Sequence, residues 1–189
     1  MRLNLGCGRN ILGGWINVDV YPLPGVDVVA DLGRCGEQPL PFAADSVDEM
    51  LLSHVIEHIR EPLPLMQELH RVARNAARLV IRVPYGSSDD AYEDPTHVRP
   101  YFLNSFGYFS QPNYWRADYG YRGDWTTEQI TLVVREQGNA DLPPDQILAK
   151  VMRDRNVVRE MIAELKAVKP VRLPRRELQT VPKIVIQLA

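Results

Sequence analysis

Apolar residues fall along this chain in short runs, punctuated by glycine, proline and acidic residues, most clearly over the first 84 positions. Leu3-Asn4-Leu5 runs into Gly6-Cys7-Gly8, which reads as a short strand ending in a glycine turn. WINVDV (15–20) predicts a second strand that ends near Asp19 and is stopped by Tyr21-Pro22. VDVVAD (26–31) predicts a third, ending at Asp31. PLPFAADS (39–46) is punctuated loop, and VDEMLLS (47–53) predicts a fourth strand. Over 61–74, Leu65, Leu69 and Val72 stand four and three apart with Met66 beside them, the spacing of an amphipathic helix. Asn75 is its expected C-terminal cap. ARLVIRVP (77–84) predicts a fifth strand, apolar enough to be central.

The alternation changes after Pro84. Residues 86–102 are polar, with Pro95 and Pro100, and read as a long loop over the sheet edge. Loops of that length in a compact domain usually carry function. LNSFGYFSQPNYW (103–115) is aromatic-rich and suits a short helix. WTTEQITLVVRE (125–136) alternates as a strand. Residues 143–168 give the longest helical pattern, with Ile147, Val151, Val158, Met161, Ile162 and Leu165 as its stripe. KIVIQL (183–188) is a final strand. The whole predicts an α/β fold: a Rossmann-like, mostly parallel sheet with helices on both faces and a terminal antiparallel strand pair. The expected organisation is one domain, 1–189. Residues 1–84 form the ligand-binding half, 85–124 an active-site loop and cap, and 140–180 a helical insertion before the last strand. About nine residues separate the first two strands, fewer than a parallel crossover usually takes. Either the first helix is reduced to a turn or the strand edges lie elsewhere.

Composition adds exclusions. The net charge of −2 disfavours nonspecific binding to nucleic acid or anionic lipid. Two cysteines make no disulfide framework and suit a reducing, cytoplasmic compartment. No signal peptide or membrane-length apolar run is expected. Helix 144–168 and the last strand could support a homodimer.

In an open parallel sheet, ligands bind beyond the carboxyl ends of the strands. Gly6, Cys7, Gly8, Asp19, Asp31, Ser53, His54 and Pro84 are placed there. Glycines allow close backbone approach to a ligand. An acid after the second strand can accept from two ribose hydroxyls, and one after the third from an exocyclic amine. G-C-G-R-N-I-L-G-G does not keep the G-x-G-x-x-G spacing of a pyrophosphate site, so an adenosine ligand without phosphates fits better.

LNLGCGRN, NVDV, VADL, DSVDEMLLSHVIEHI and LHRVARNAARLVIRVP together resemble the class I S-adenosylmethionine-dependent methyltransferases, in particular the type 11 group. The likeness covers roughly 1–84, and THVRPYFLN also looks like a segment of that group. It implies an enzyme with S-adenosyl-L-methionine as cofactor. Gly6, Cys7 and Gly8 would pass the methionine moiety, Asp19 and Val20 hold the ribose, Asp31 and Leu32 frame the adenine, and Ser53 and His54 line the floor. Asn4 and Asn10 depart from the group's usual acid and glycine.

HVIEH (54–58) also has the H-x-x-E-H spacing of inverted zinc peptidases. That motif needs one helix to bring both imidazoles onto one face. Here a strand runs into His54 and Pro62 follows closely, so no metal ligand set is assigned. For methyl transfer, the candidate bases are His97 and His54. Arg99 would clamp an anionic acceptor group, and Tyr85 and Tyr101 would wall its pocket. Cys7, lacking a partner base, reads as packing. The reading is methyl transfer to a small-molecule or sugar-like acceptor, O- or N-directed. The alternative is a non-catalytic cofactor-binding or partner-binding protein; a nicotinamide oxidoreductase and a zinc hydrolase rank below both.

Overall fold

The computed structural model describes residues 1–189. Its eight strands are β1 (Arg2–Leu5), β2 (Ile16–Asp19), β3 (Val28–Val29), β4 (Val47–Ser53), β5 (Ala73–Pro84), β6 (Trp125–Val134), β7 (Val158–Ala167) and β8 (Lys183–Leu188). They form one sheet in the order β3-β2-β1-β4-β5-β7-β6-β8. β1 to β5 are mutually parallel, β7 is antiparallel to both its neighbours, and β8 joins the outer edge parallel to β6. The expected Rossmann-like, mostly parallel sheet is therefore found, with the antiparallel pairing at the chain's end supplied by β6 and β7. No helix lies between β1 and β2: the connection is a turn, which accounts for its shortness.

Helix α1 (Pro62–Val72) forms as the spacing predicts and buries Leu65, Met66, Leu69 and Val72. Asn75 does not cap it. β5 begins at Ala73, directly after the helix, and the Asn75 side chain instead accepts from the Lys169 amide. The short helix α2 (Asp90–Glu93) interrupts the long loop, and two 3-10 turns, Ser105–Phe109 and Gln111–Trp115, replace the helix suggested for the aromatic stretch.

The largest departure is over 143–168. Only α3 (Pro144–Val151) is helical, and the second half is β7, in the middle of the sheet. The helical insertion expected over 140–180 is thus mostly sheet and loop. Met161, Ala163, Leu165 and Ala167 are buried while Ile162, Glu164 and Lys166 between them are only half-buried, a period of two. The residues are good helix formers, but a segment paired on both sides gains ladder and packing energy that intrinsic propensity does not outweigh. Asn156, at φ +59, marks the break before the strand.

One sheet face carries the core, where Met50, Leu52, Leu79, Ile81, Val83, Ala163, Ile130 and Leu132 pack with α1 and Trp125, whose indole donates to the Met66 carbonyl at 3.0 Å. Across β4, β5 and β7 the opposite face is a charge ladder open to solvent. Arg78 bridges Glu49 and Glu164, and Arg82 pairs with Glu160. Helical cover is one-sided there. No helix is long and apolar enough to cross a membrane.

A central strand is bonded on both sides, so its amides open only with the whole domain. Amides of Ala163–Lys166 are therefore expected among the slowest to exchange with deuterium, and those of 92–98 among the fastest. Fast exchange across 160–166 would contradict the sheet assignment.

Candidate functional site

The carboxyl edge of the parallel strands gathers the sequence-predicted residues in the order of the sheet: Asp31 beyond β3, Asp19 at the end of β2, Gly6–Gly8 after β1, Ser53 and His54 after β4. Gly6 and Gly8 have φ of +65° and +51°. A Cβ on Gly6 would meet Val55 Cγ2 at 2.5 Å, so only glycine fits; beside Gly8 the corresponding space is open. With no helix behind it, the turn is held by amide side chains. Asn4 donates to the Asn10 carbonyl (2.8 Å) and to Asn17 Oδ1 (2.9 Å), and Asn17 Oδ1 also accepts from the Leu12 amide. Asn4 and Asn10, the two departures from the expected motif, are thus bonded to each other.

Asp19 is nearly buried, and its Oδ2 accepts from the Gly8 amide at 2.7 Å and its Oδ1 from the Tyr21 amide at 3.0 Å. Each carboxylate oxygen keeps a lone pair, which suits two adjacent hydroxyl donors. Val20 is exposed beside it. Asp31 caps a 3-10 turn through the Gly33 amide, and the Leu32 side chain lies in the core, so framing of a flat base there falls to the Asp31 carboxylate and the backbone of 31–32. Burial, and then the Asp19 carboxylate, push the Cys7 thiol up, which leaves it a packing residue. These groups fit an adenosine whose other end carries no phosphate.

His54 adopts φ +55° and leaves β4 at a sharp bend; a 3-10 turn at Ile56–His58 follows, not an α-helix. The helical zinc-peptidase arrangement does not form. His54 Nε2 stands 2.9 Å from Glu160 Oε1, and its Nδ1 3.4 Å from Glu57 Oε1. The hydrogen bond to Glu160, and then the nearby Glu57 carboxylate, raise its pKa to about 9. His54 is therefore an imidazolium at neutral pH, unsuited to abstracting a proton. Arg82 grips Glu160 with two bonds of 3.0 and 2.7 Å. Burial pulls the Glu160 pKa up, but the bonds from His54 and Arg82 prevail and hold it at about 2.

A cavity of about 1090 Å³ opens beyond the end of β5, lined by Tyr85, Arg99, Tyr101, Arg60, Tyr114 and Met152 among others. It does not reach the glycine turn. Tyr101 bridges to Tyr85 and its hydroxyl donates to the Ile56 carbonyl at 3.3 Å, tying the cavity wall to the turn after β4. His97 lies outside this cavity, in a smaller polar one with His54, Glu160, Asp90, Glu93 and Asp94. The structure thus separates His97 from Tyr85, Arg99 and Tyr101, which the sequence placed together.

Residues 22–81 match the family model described as methyltransferase domain. That match spans 60 of the chain's 189 residues, from just after β2 into β5. Comparison with curated proteins finds no match. Solved structures similar to this chain include a SAM-dependent methyltransferase from Archaeoglobus fulgidus, 17% identical, covering 87% of this chain and 85% of that one, TM-score 0.56. Another, from Methanosarcina mazei, is 12% identical over 88% and 92%, TM-score 0.55. A third, from Mesorhizobium loti, is 11% identical over 87% and 89%, TM-score 0.52. At these identities the likeness establishes the fold.

Sequence reasoning missed Glu160, Arg82 and Arg60 at this edge of the sheet. Glu160 was hidden because its segment reads as helix; Arg60 follows the HVIEH motif and had no partner to give it away.

Removing the Asn17 side chain leaves the Asn4 amide and the Leu12 amide unpaired. Asn17→Ala is expected to cost about 2–3 kcal/mol in chemical denaturation. Glu160 has a depressed folded pKa, so its contribution is present above its ordinary range near 4.5 and fades as pH falls toward 2. Glu160→Gln should therefore be about 2 kcal/mol less stable than wild type at pH 7, and the gap should narrow below pH 4.5. A gap independent of pH would remove the ion pair from that account.

Proposed function

We propose that the protein transfers the methyl group of S-adenosylmethionine to a small, anionic acceptor through an oxygen or nitrogen nucleophile. The observation that carries this reading is the pairing of Asp19 with Gly8 at the centre of the carboxyl edge, which leaves two carboxylate lone pairs beside a turn with no side chain at Gly8. The cofactor supplies an activated methyl carbon. Asp19 would accept from the ribose hydroxyls, and Gly6–Gly8 would let the amino-acid end lie against the backbone. Displacement needs the nucleophile held in line and water excluded.

Acceptor chemistry follows from the large cavity. Arg153 and Arg155 there are paired with Asp154 and Asp89, whereas Arg60 and Arg99 have no salt-bridge partner. Two free guanidinium groups among tyrosines suit a carboxylate or phosphate on a flat or sugar-like body. A non-catalytic binding role is the second reading, favoured by the charge on His54 and the loss of the first helix; cofactor binding without transfer to any acceptor would support it.

Calorimetric titration tests the site. Wild type should bind S-adenosylmethionine, and Asp19→Ala should bind it roughly 100-fold more weakly, the loss of two hydrogen bonds to a charged group, with the Tm of each protein recorded. Wild-type protein that binds neither the cofactor nor its demethylated product would sink the proposal. With an acceptor in hand, Arg99→Ala should raise KM roughly tenfold with little change in kcat.

A further inference from the structure

The HVIEH motif leaves a residue that neither the fold nor methyl transfer uses. Glu57 is 2% exposed, and neither carboxylate oxygen has a hydrogen-bond partner; the His54 approach at 3.4 Å lacks hydrogen-bond geometry. With His54 its one ionic neighbour and no hydrogen bond to either oxygen, this buried carboxylate is under-satisfied and has both oxygens open to a further cation. Two imidazoles stand beside it. One ligand atom from each of Glu57, His58 and His97 lies within 4.8 Å of the others, and the two rings meet edge to face at 4.7 Å between centroids.

The outer nitrogens of both rings are already engaged. Thr96 donates its hydroxyl proton to Asp94 Oδ1 at 2.6 Å, so the same oxygen must accept from His58 Nδ1 at 2.9 Å. His97 Nδ1 faces the Ala91 carbonyl at 3.3 Å, which can only accept. Both rings therefore carry the proton on Nδ1 and the lone pair on Nε2. A second-sphere acceptor on the far nitrogen is the usual setting of a metal-bound histidine. The backbone fixes the pair as well, because the Val98 amide donates to the Glu57 carbonyl at 2.9 Å. The polar cavity next to His97 adds Asp90, Glu93, Asp94 and Glu160 against Arg159 and His54, a surrounding that favours cations.

We propose that Glu57, His58 and His97 form a binding site for a divalent first-row metal ion such as Zn²⁺. One carboxylate and two imidazoles suit a borderline ion, and three protein ligands leave a coordination position open. The site differs from the peptidase arrangement: the two motif histidines are not both ligands, and His97 comes from a loop 39 positions after His58. It is independent of the cofactor assignment.

Metal-stripped full-length protein would be titrated with Co²⁺, read by its visible absorption, and then with Zn²⁺ in competition. One equivalent of Co²⁺ should bind and be displaced by Zn²⁺, with the Tm rising as the site fills. His97→Ala should weaken binding at least roughly 100-fold, and Thr96→Val, which removes the acceptor on His58 and the hydroxyl bond to Asp94, roughly tenfold. Circular dichroism and S-adenosylmethionine titration of the same samples report folding and the cofactor site separately. Wild-type protein that takes up no stoichiometric metal at micromolar concentration would overturn the proposal. So would wild-type affinity in folded His97→Ala and Glu57→Gln. Metal binding without cofactor binding would overturn the methyl-transfer reading alone.

Discussion

The insertion of β7 between β5 and β6 is the constraint on which the second half of the molecule depends. Paired antiparallel on both sides, it converts the parallel half-sheet and the last strands into one continuous layer. It also delivers Glu160 to the end of β5, where Arg82 and His54 converge on it. That contact spans more than 70 positions of chain and no local pattern encodes it. A carboxylate so placed is buried, and only its two cationic partners keep it ionised. The same pairing fixes the charge of His54.

The first half of the chain meets a different constraint. In a βαβ unit the turn after β1 normally opens a helix, which holds the turn rigid. Here the helix is missing, and Asn4, Asn10, Asn17 and Leu12 close the loop through hydrogen bonds. Amide side chains can do this because each offers donors and an acceptor together; a carboxylate at position 4 could not donate to the Asn10 carbonyl. The departures from the expected motif therefore follow from the shortened crossover, and leave a lone pair on each Asp19 carboxylate oxygen.

How legible this was in the sequence depended on how local the cause was. Strands β1, β2, β4, β5 and β8 and helix α1 announce themselves by period and punctuation, and the edge residues follow once the strands are ordered. Asp19 and Gly6–Gly8 come together as the spacing implies. β7 did not, because Glu, Met, Ala, Leu and Lys satisfy a helical stripe as well as an alternating one, and only the facing strands decide between them. His97 and Arg99 are two positions apart, yet the backbone sends them to different cavities. Loop direction carries no periodicity for a sequence to show.

The exposed charge ladder makes sense of the one-sided cover. With the early crossovers reduced to turns, the outer face of β4, β5 and β7 has no apolar layer to meet. Its charged side chains are Glu49, Arg78, Arg82, Glu160 and Glu164, opposite in sign across the strands, and they flank the half-buried Leu51, Val80 and Ile162. Exposed pairs of this kind add little stability singly. Their effect is to keep a bare sheet face hydrated, so that loss of helices does not become an apolar patch. Only at the carboxyl edge, where the ladder runs into Glu160 and His54, does burial strengthen the pairing, and that is where the fold places its polar cavity.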